Sequence, residues 1–204
     1  MNTYTFILTS LIIIITPGTG VIYTISTGLT RGRRKGVFAA LGCTLGILPH
    51  LIITILISSF FLKISDQTFF IIKLIGAFYL LYLGISMLLT KGKFVFNSDK
   101  EEFSVVPIMK KGIFINLLNP QLTLFFVSFL PQFIDKNSLY YLQKIFLQGI
   151  AFMVLSLFIF VIYAILAGCV EKFLETSFGK MLRLQQIFGI VFILLAINLA
   201  TVKL

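Results

Sequence analysis

The chain has 204 residues, of which 58% are apolar and 12% charged, and its mean hydropathy is +1.05. A soluble domain is about 45–50% apolar and about 25% charged. The composition therefore excludes a water-soluble enzyme, whose single small core could not hide so much apolar surface, and it excludes intrinsic disorder, which needs low hydrophobicity. Seventeen Lys and Arg against seven Asp and Glu give a net charge of +10, and the basic residues gather in short loops between apolar runs. That is the pattern of an integral membrane protein, not of a nucleic-acid footprint.

A spanning helix needs about 20 mostly apolar residues, and six runs qualify: Tyr4–Leu29, Val37–Leu62, Phe69–Leu89, Ile113–Phe133, Ile145–Val170 and Gln185–Val202. None alternates in and out as a barrel strand would. The first run opens without a basic residue before Phe6, which argues against a cleaved signal peptide. It is interrupted by Thr16-Pro17-Gly18-Thr19-Gly20. The second holds Gly42 and Gly46, a small-residue spacing that lets helices approach closely, and a further interruption at Pro49-His50. The third carries Lys73 one turn inside, where its amine can snorkel to the interface. A polar connection, 91–111, then divides one membrane domain, 1–204, into half-repeats of about 1–92 and 105–204. The fourth run is interrupted by Asn119-Pro120-Gln121, and the fifth and sixth complete the second half. The expected fold class is an all-α integral membrane protein of six transmembrane helices.

Twelve of the 17 Lys and Arg lie in the loops after the first, third and fifth runs, beginning with Arg31, Arg33, Arg34 and Lys35. The positive-inside rule places those loops in the cytoplasm and both termini outside. Cys43 and Cys169 stand 126 positions apart with no CxxC or His pattern, so neither a disulfide framework nor a metal site is indicated.

Three runs per half is an odd number, so related halves enter the membrane from opposite sides, as in the inverted repeats of secondary transporters. Each half opens with a proline-broken run. Half of a 30 Å core corresponds to about ten helical residues, and Pro17 lies 13 positions past Tyr4 and Pro120 nine past Lys111. Both breaks thus fall near the bilayer centre. Proline removes a backbone donor, and the freed groups must be satisfied by protein, water or a ligand. A restarting helix N-terminus attracts a carboxylate, and an unwound carbonyl attracts an ammonium group or a cation. The pair points to a zwitterionic amino acid, with Pro17, Gly18, Thr19, Asn119, Pro120 and Gln121 as candidate substrate-binding residues. A plain packing kink is the competing account of either break alone.

All seven acids fall outside the six runs. His50, the only histidine, is then the one mid-membrane side chain whose ordinary titration lies near neutral pH. It is either a hydrogen-bonded packing residue or the proton-coupling group. Tyr23, Tyr79, Tyr82 and Tyr163 are polar groups within the runs that could bind or relay.

The segments TPGTGVIYTISTGLTRGRRKGVFAALGCTLG at 16–46, GAFYLLYLGI at 76–85 and GIFINLLNPQLTLFFVSFLPQF at 112–133 together resemble the lysine exporter family (LysE/RhtB, including the homoserine and threonine resistance proteins) over essentially the whole chain. The resemblance implies a bacterial inner-membrane exporter of amino acids or similar small metabolites, energised by the proton gradient and assembling as homo-oligomers. It adds Asn116 to the site and supports Pro17, Gly18, Asn119, Pro120 and His50, and it places Pro131, Gln132 and Phe133 at the outer end of the fourth span. The chain departs from the family pattern where Thr19 replaces a second proline, Gln121 a lysine, and Ser156 an acidic residue of the fifth span. These losses of charge favour a neutral substrate such as threonine, homoserine or a branched amino acid, because a cationic side chain would lack a counter-charge. A membrane enzyme would need a His–Asp or His–Cys constellation that is missing. Metal-ion transport, which normally wants carboxylates, thiols or several His, and a structural membrane component are the alternatives. No nucleotide motif, cofactor, metal or nucleic-acid partner is expected.

Overall fold

The computed structural model describes residues 3–16, 18–61, 66–89, 104–135, 138–167 and 178–201, and within them every regular element is helical. The elements are α1 (Thr3–Ile15), α2 (Thr19–Arg31), α3 (Arg33–Leu45), α4 (Leu48–Phe61), α5 (Asp66–Leu89), α6 (Val105–Leu117), α7 (Pro120–Leu124), a π-helical turn (Phe125–Phe129), a 3-10 turn (Leu130–Phe133), α8 (Tyr141–Ile165) and α9 (Phe178–Thr201). Arg33–Ser59 and Tyr141–Ile165 are each long and apolar enough to cross a bilayer. Two bent pairs are long and apolar enough to cross when each is taken together: α1 meets α2 at 53°, and α6 meets the segment Gln121–Phe133 at 59°. Helices α5 and α9 have 24 residues each, about 36 Å at 1.5 Å per residue. The protein is an all-α, multi-pass membrane protein.

The interruption at Pro49-His50 differs from the other two. The chain tightens at Gly46–Ile47, where Ile47 N bonds Thr44 O and His50 N bonds Ile47 O, and Pro49 sits in the first turn of α4. Proline fits a first turn because its missing N–H has no intrahelical partner there anyway. Arg33–Ser59 therefore remains one span. The fourth span also departs from expectation, since α6 starts at Val105 and takes Lys110 and Lys111 into the helix. Lys111 Nζ lies 5.8 Å from the centre of the Tyr23 ring, a cation–π contact that holds the ammonium at the helix surface. With that start, α1 and α6 are both 13 residues long.

The helices approach through glycines. A Cβ on Gly42 would lie 2.3 Å from Met109 O, and one on Gly112 would lie 2.9 Å from Cys43 N, so α3 and α6 cross backbone to backbone. Gly28 and Gly36 face each other and Ala164, drawing α2, α3 and α8 together. Helices α5 and α9 meet reciprocally, Gly84 against Gly189 O and Gly189 against Gly84 O. Gly42 and Gly46 are thus packing positions. Gly32, at φ +87, makes the turn from α2 into α3 in a conformation that favours glycine.

Exposed Ile71, Ile75, Phe78, Tyr82, Ile85 and Leu89 form a stripe along α5, and Ile187, Ile190, Leu194 and Ile197 form one along α9. On a soluble protein such stripes would be sticky, whereas lipid solvates them. Inside, Phe6, Phe125, Phe126, Phe129, Phe133 and Phe152 are buried and linked by ring contacts of 4.9 to 6.0 Å. The π-helical turn carries three of these rings. Such turns recur at functional sites and break the regular ladder of backbone bonds.

Candidate substrate-binding site

The two breaks come together. A Cβ on Gly18, at the start of α2, would lie 3.4 Å from Gln121 Oε1, in the first turn of α7. Beside them lies a cavity of about 30 Å³. Its polar wall is Thr16, Gly18, Gly20, Asn116, Asn119, Gln121 and Ser156. Its apolar wall is Ile13, Ile14, Val21, Ile47, Leu122, Phe152 and Phe160, and among the described residues no charged side chain lines it. Ligand pockets typically measure roughly 300 Å³ or more, and this cavity is much smaller.

Of the candidate residues, Gly18, Asn116, Asn119 and Gln121 line the cavity. Thr19 is exposed on the first turn of α2 and does not. Pro120 begins α7, while Pro17 lies outside the described residues. His50 is buried behind the site, 2% exposed, and touches its backbone instead of the cavity.

The free backbone groups at the breaks are handled differently. At the end of α1, Ile12 O accepts from Thr16 N at 3.1 Å and from Thr16 Oγ1 at 2.6 Å, and Ile15 O accepts from the Tyr163 hydroxyl at 3.1 Å. Tyr163 thus braces the first break from α8. At the second break, Asn119 caps α7: its Oδ1 accepts from Gln121 N at 3.0 Å, with Pro120 at the first helical position. Asn116 is fixed from three sides. Its Nδ2 donates to Cys43 O at 2.8 Å, its own carbonyl accepts from His50 Nε2 at 2.9 Å, and its side chain is pressed against Gly20.

His50 Nε2 faces a carbonyl and must donate. Nδ1 stands 3.2 Å from Thr123 Oγ1, and that hydroxyl is also 3.3 Å from Asn119 O. With a neutral ring the Thr123 hydroxyl donates to Nδ1. With a protonated ring Nδ1–H donates to Thr123, whose hydroxyl must then turn to Asn119 O. The Phe126 ring, 6.4 Å away, covers the imidazole, and its hydrogen-bond partners are uncharged.

Thr123, Ser156 and Gly20 were not candidates from the sequence. Threonine in a helix ordinarily bonds its own upstream carbonyl, which Thr123 also does, so its composition carries no signal. Gly20 belonged to the break motif, and its closeness to Asn116 appears only in three dimensions. Of the two cysteines, Cys43 is buried, free and packed against Gly20 O, and Cys169 lies outside the described residues.

The model of the LysE type translocator family matches residues 11–203. The chain is 29% identical to a Vibrio cholerae protein described as an uncharacterized membrane protein, over 97% of this chain and 96% of that one. It is 30% identical to a leucine efflux protein of Klebsiella pneumoniae, over 100% of this chain and 96% of the relative. It is 28% identical to a homoserine/homoserine lactone efflux protein of Salmonella typhimurium, over 98% and 96%. No solved structure matches it. With the family model matched over residues 11–203 and a relative 30% identical across all of this chain, the chain belongs to the LysE type translocator family.

Proposed function

We infer that the protein exports neutral amino acids across the bacterial inner membrane, in exchange for inward-moving protons, and that it is a transporter rather than an enzyme. The observation that carries this reading is the uncharged cavity held between two helix breaks, with Gly18 of one against Gln121 of the other. A zwitterion needs one acceptor and one donor set there and no counter-ion. Its side chain then meets Ile13, Ile14, Val21 and Phe152, an apolar wall suited to leucine-sized or smaller groups. Relatives bearing the names leucine efflux and homoserine/homoserine lactone efflux support the same class.

The repeat architecture belongs to this proposal. Six crossings result if α5 and α9 each span the membrane beside the two straight and two broken spans. The equal lengths of α1 and α6 and the reciprocal Gly84–Gly189 contact support two half-repeats of opposite orientation. The basic loop ending α2 then faces the cytoplasm. Reporters fused after residue 35 and after residue 66 check this: a cytoplasmic reporter is active at 35 and inactive at 66, and the opposite result inverts the topology.

Export is tested in cells fed dipeptides of leucine, threonine or lysine, with free amino acids measured in the medium. Expression of the chain raises leucine or threonine severalfold and leaves lysine unchanged. Export of lysine alone would overturn the neutral-substrate reading. A panel of toxic amino-acid analogues gives the same answer as growth resistance.

A further inference from the structure

The two breaks are not chemically equivalent, and the difference assigns them separate tasks. The N-terminus of α7 is already occupied, because Asn119 Oδ1 accepts from Gln121 N. The N-terminus of α2 has no side-chain cap, since its N-cap residue is Gly18. The first amides of a helix have no partner within it, and at α2 they belong to a 13-residue helix whose Gly18, Gly20 and Val21 line the cavity. The second observation is Asn116. Its Nδ2 is fixed by the Cys43 carbonyl, which leaves Oδ1 as the atom facing Gly20, where a Cβ would lie 2.5 Å away. Asn116 is 1% exposed and Oδ1 has no hydrogen-bond partner among the described residues. A buried acceptor left unpaired is unfavourable, and this one is packed against Gly20 in the first turn of the uncapped helix.

Resting on the exporter reading, we propose that the substrate's α-carboxylate binds the first-turn amides of α2 while its α-ammonium donates to Asn116 Oδ1, and that Asn119 is a helix cap that shapes the second break without contacting the ammonium. Only one carbon separates the two charged groups of an α-amino acid, which matches an acceptor packed directly against the first turn of α2. Selectivity for α-amino acids over simple carboxylic acids then lies in a single oxygen. It also explains why Gly20 is glycine: any side chain there would occupy the place of the ammonium.

The test uses the full chain in liposomes, with labelled L-leucine as the transported probe and two competitors. Leucinamide keeps the ammonium and loses the carboxylate, and 4-methylpentanoate keeps the carboxylate and loses the ammonium. In the unmodified protein neither competes within about tenfold of leucine, because each forfeits a charge-assisted hydrogen bond. Asn116→Leu weakens leucine about tenfold or more and leaves 4-methylpentanoate unchanged, so discrimination between them collapses. Gly20→Ala, whose Cβ would lie 2.5 Å from Asn116 Oδ1 and displace that side chain, does the same, and monodisperse behaviour of both variants in detergent guards against misfolding. Asn119→Ala lowers the flux but keeps the discrimination. Leucinamide competing as well as leucine overturns the carboxylate assignment. Leucine flux with full discrimination in Asn116→Leu, or discrimination lost in Asn119→Ala, overturns the ammonium assignment while leaving the exporter reading intact. Liposomes that move neither leucine nor threonine overturn both.

Discussion

Gly42→Ala is expected to leave little folded protein in the membrane. A Cβ at this position would lie 2.3 Å from Met109 O and 2.8 Å from Met109 Cα, both backbone atoms of α6. A flexible side chain could rotate away, but a helix backbone can only move as a whole. Overpacking a tight interface costs about 1–3 kcal/mol, and more where the neighbour cannot yield. Here the strain reaches beyond stability. The α3–α6 crossing also seats Asn116, whose Nδ2 bonds Cys43 O one residue from Gly42. Pushing α6 away breaks that bond and opens the cavity wall. Thermal unfolding in detergent, followed by the loss of monodisperse protein, should therefore occur well below the unmodified midpoint. The comparison is Leu56→Ala, at an exposed position of the same Arg33–Ser59 span, which should shift the midpoint little. Equal midpoints for Gly42→Ala and the unmodified protein would mean that the crossing is looser than its geometry.

Much of this architecture is legible in the residues, for reasons that can be named. Lipid demands long apolar runs, so the spans appear as hydropathy. Proline cannot donate to a helix ladder, so the breaks before Gly18 and at Pro120 appear as sequence interruptions, and the chain bends at both. What hydropathy misses is helix that continues past the hydrocarbon. Lys110 and Lys111 read as loop, yet they lie inside α6, because charge at the interface does not end a helix that can place its ammonium over a tyrosine ring. Pro49 reads as a third break, yet it sits where a helix start tolerates it. Thr19 shares the motif of the first break, but the turn after Gly18 points it outward. The division between an occupied and an open helix start was beyond reach of the sequence. It depends on which way Asn116 and Asn119 turn, and only the packing of α3 against α6 decides that.

His50→Gln is expected to uncouple the protein without unfolding it. Glutamine can reproduce both neutral contacts, its amide nitrogen donating to Asn116 O and its amide oxygen accepting from the Thr123 hydroxyl. It cannot take up a proton. In the unmodified protein protonation of the ring forces the Thr123 hydroxyl from Nδ1 toward Asn119 O, 3.3 Å away, at the residue that caps α7. A proton on Nδ1 would reverse the His50–Thr123 bond and leave the Thr123 hydroxyl to donate to Asn119 O. On the proton-coupled reading proposed above, this relay is the candidate route by which a proton acts on the cavity. The measurement is leucine accumulation in liposomes under an imposed pH difference of one unit with no membrane potential. One exchanged proton then supports about a tenfold concentration ratio, because one pH unit is worth about 1.4 kcal/mol. The unmodified chain should approach that ratio and His50→Gln should stay near one. Leucine-for-leucine exchange, which needs the cavity but no proton, should survive in the variant. Full pH-driven accumulation in His50→Gln would remove the histidine from coupling, and loss of exchange as well would make it a packing residue whose removal collapses the site.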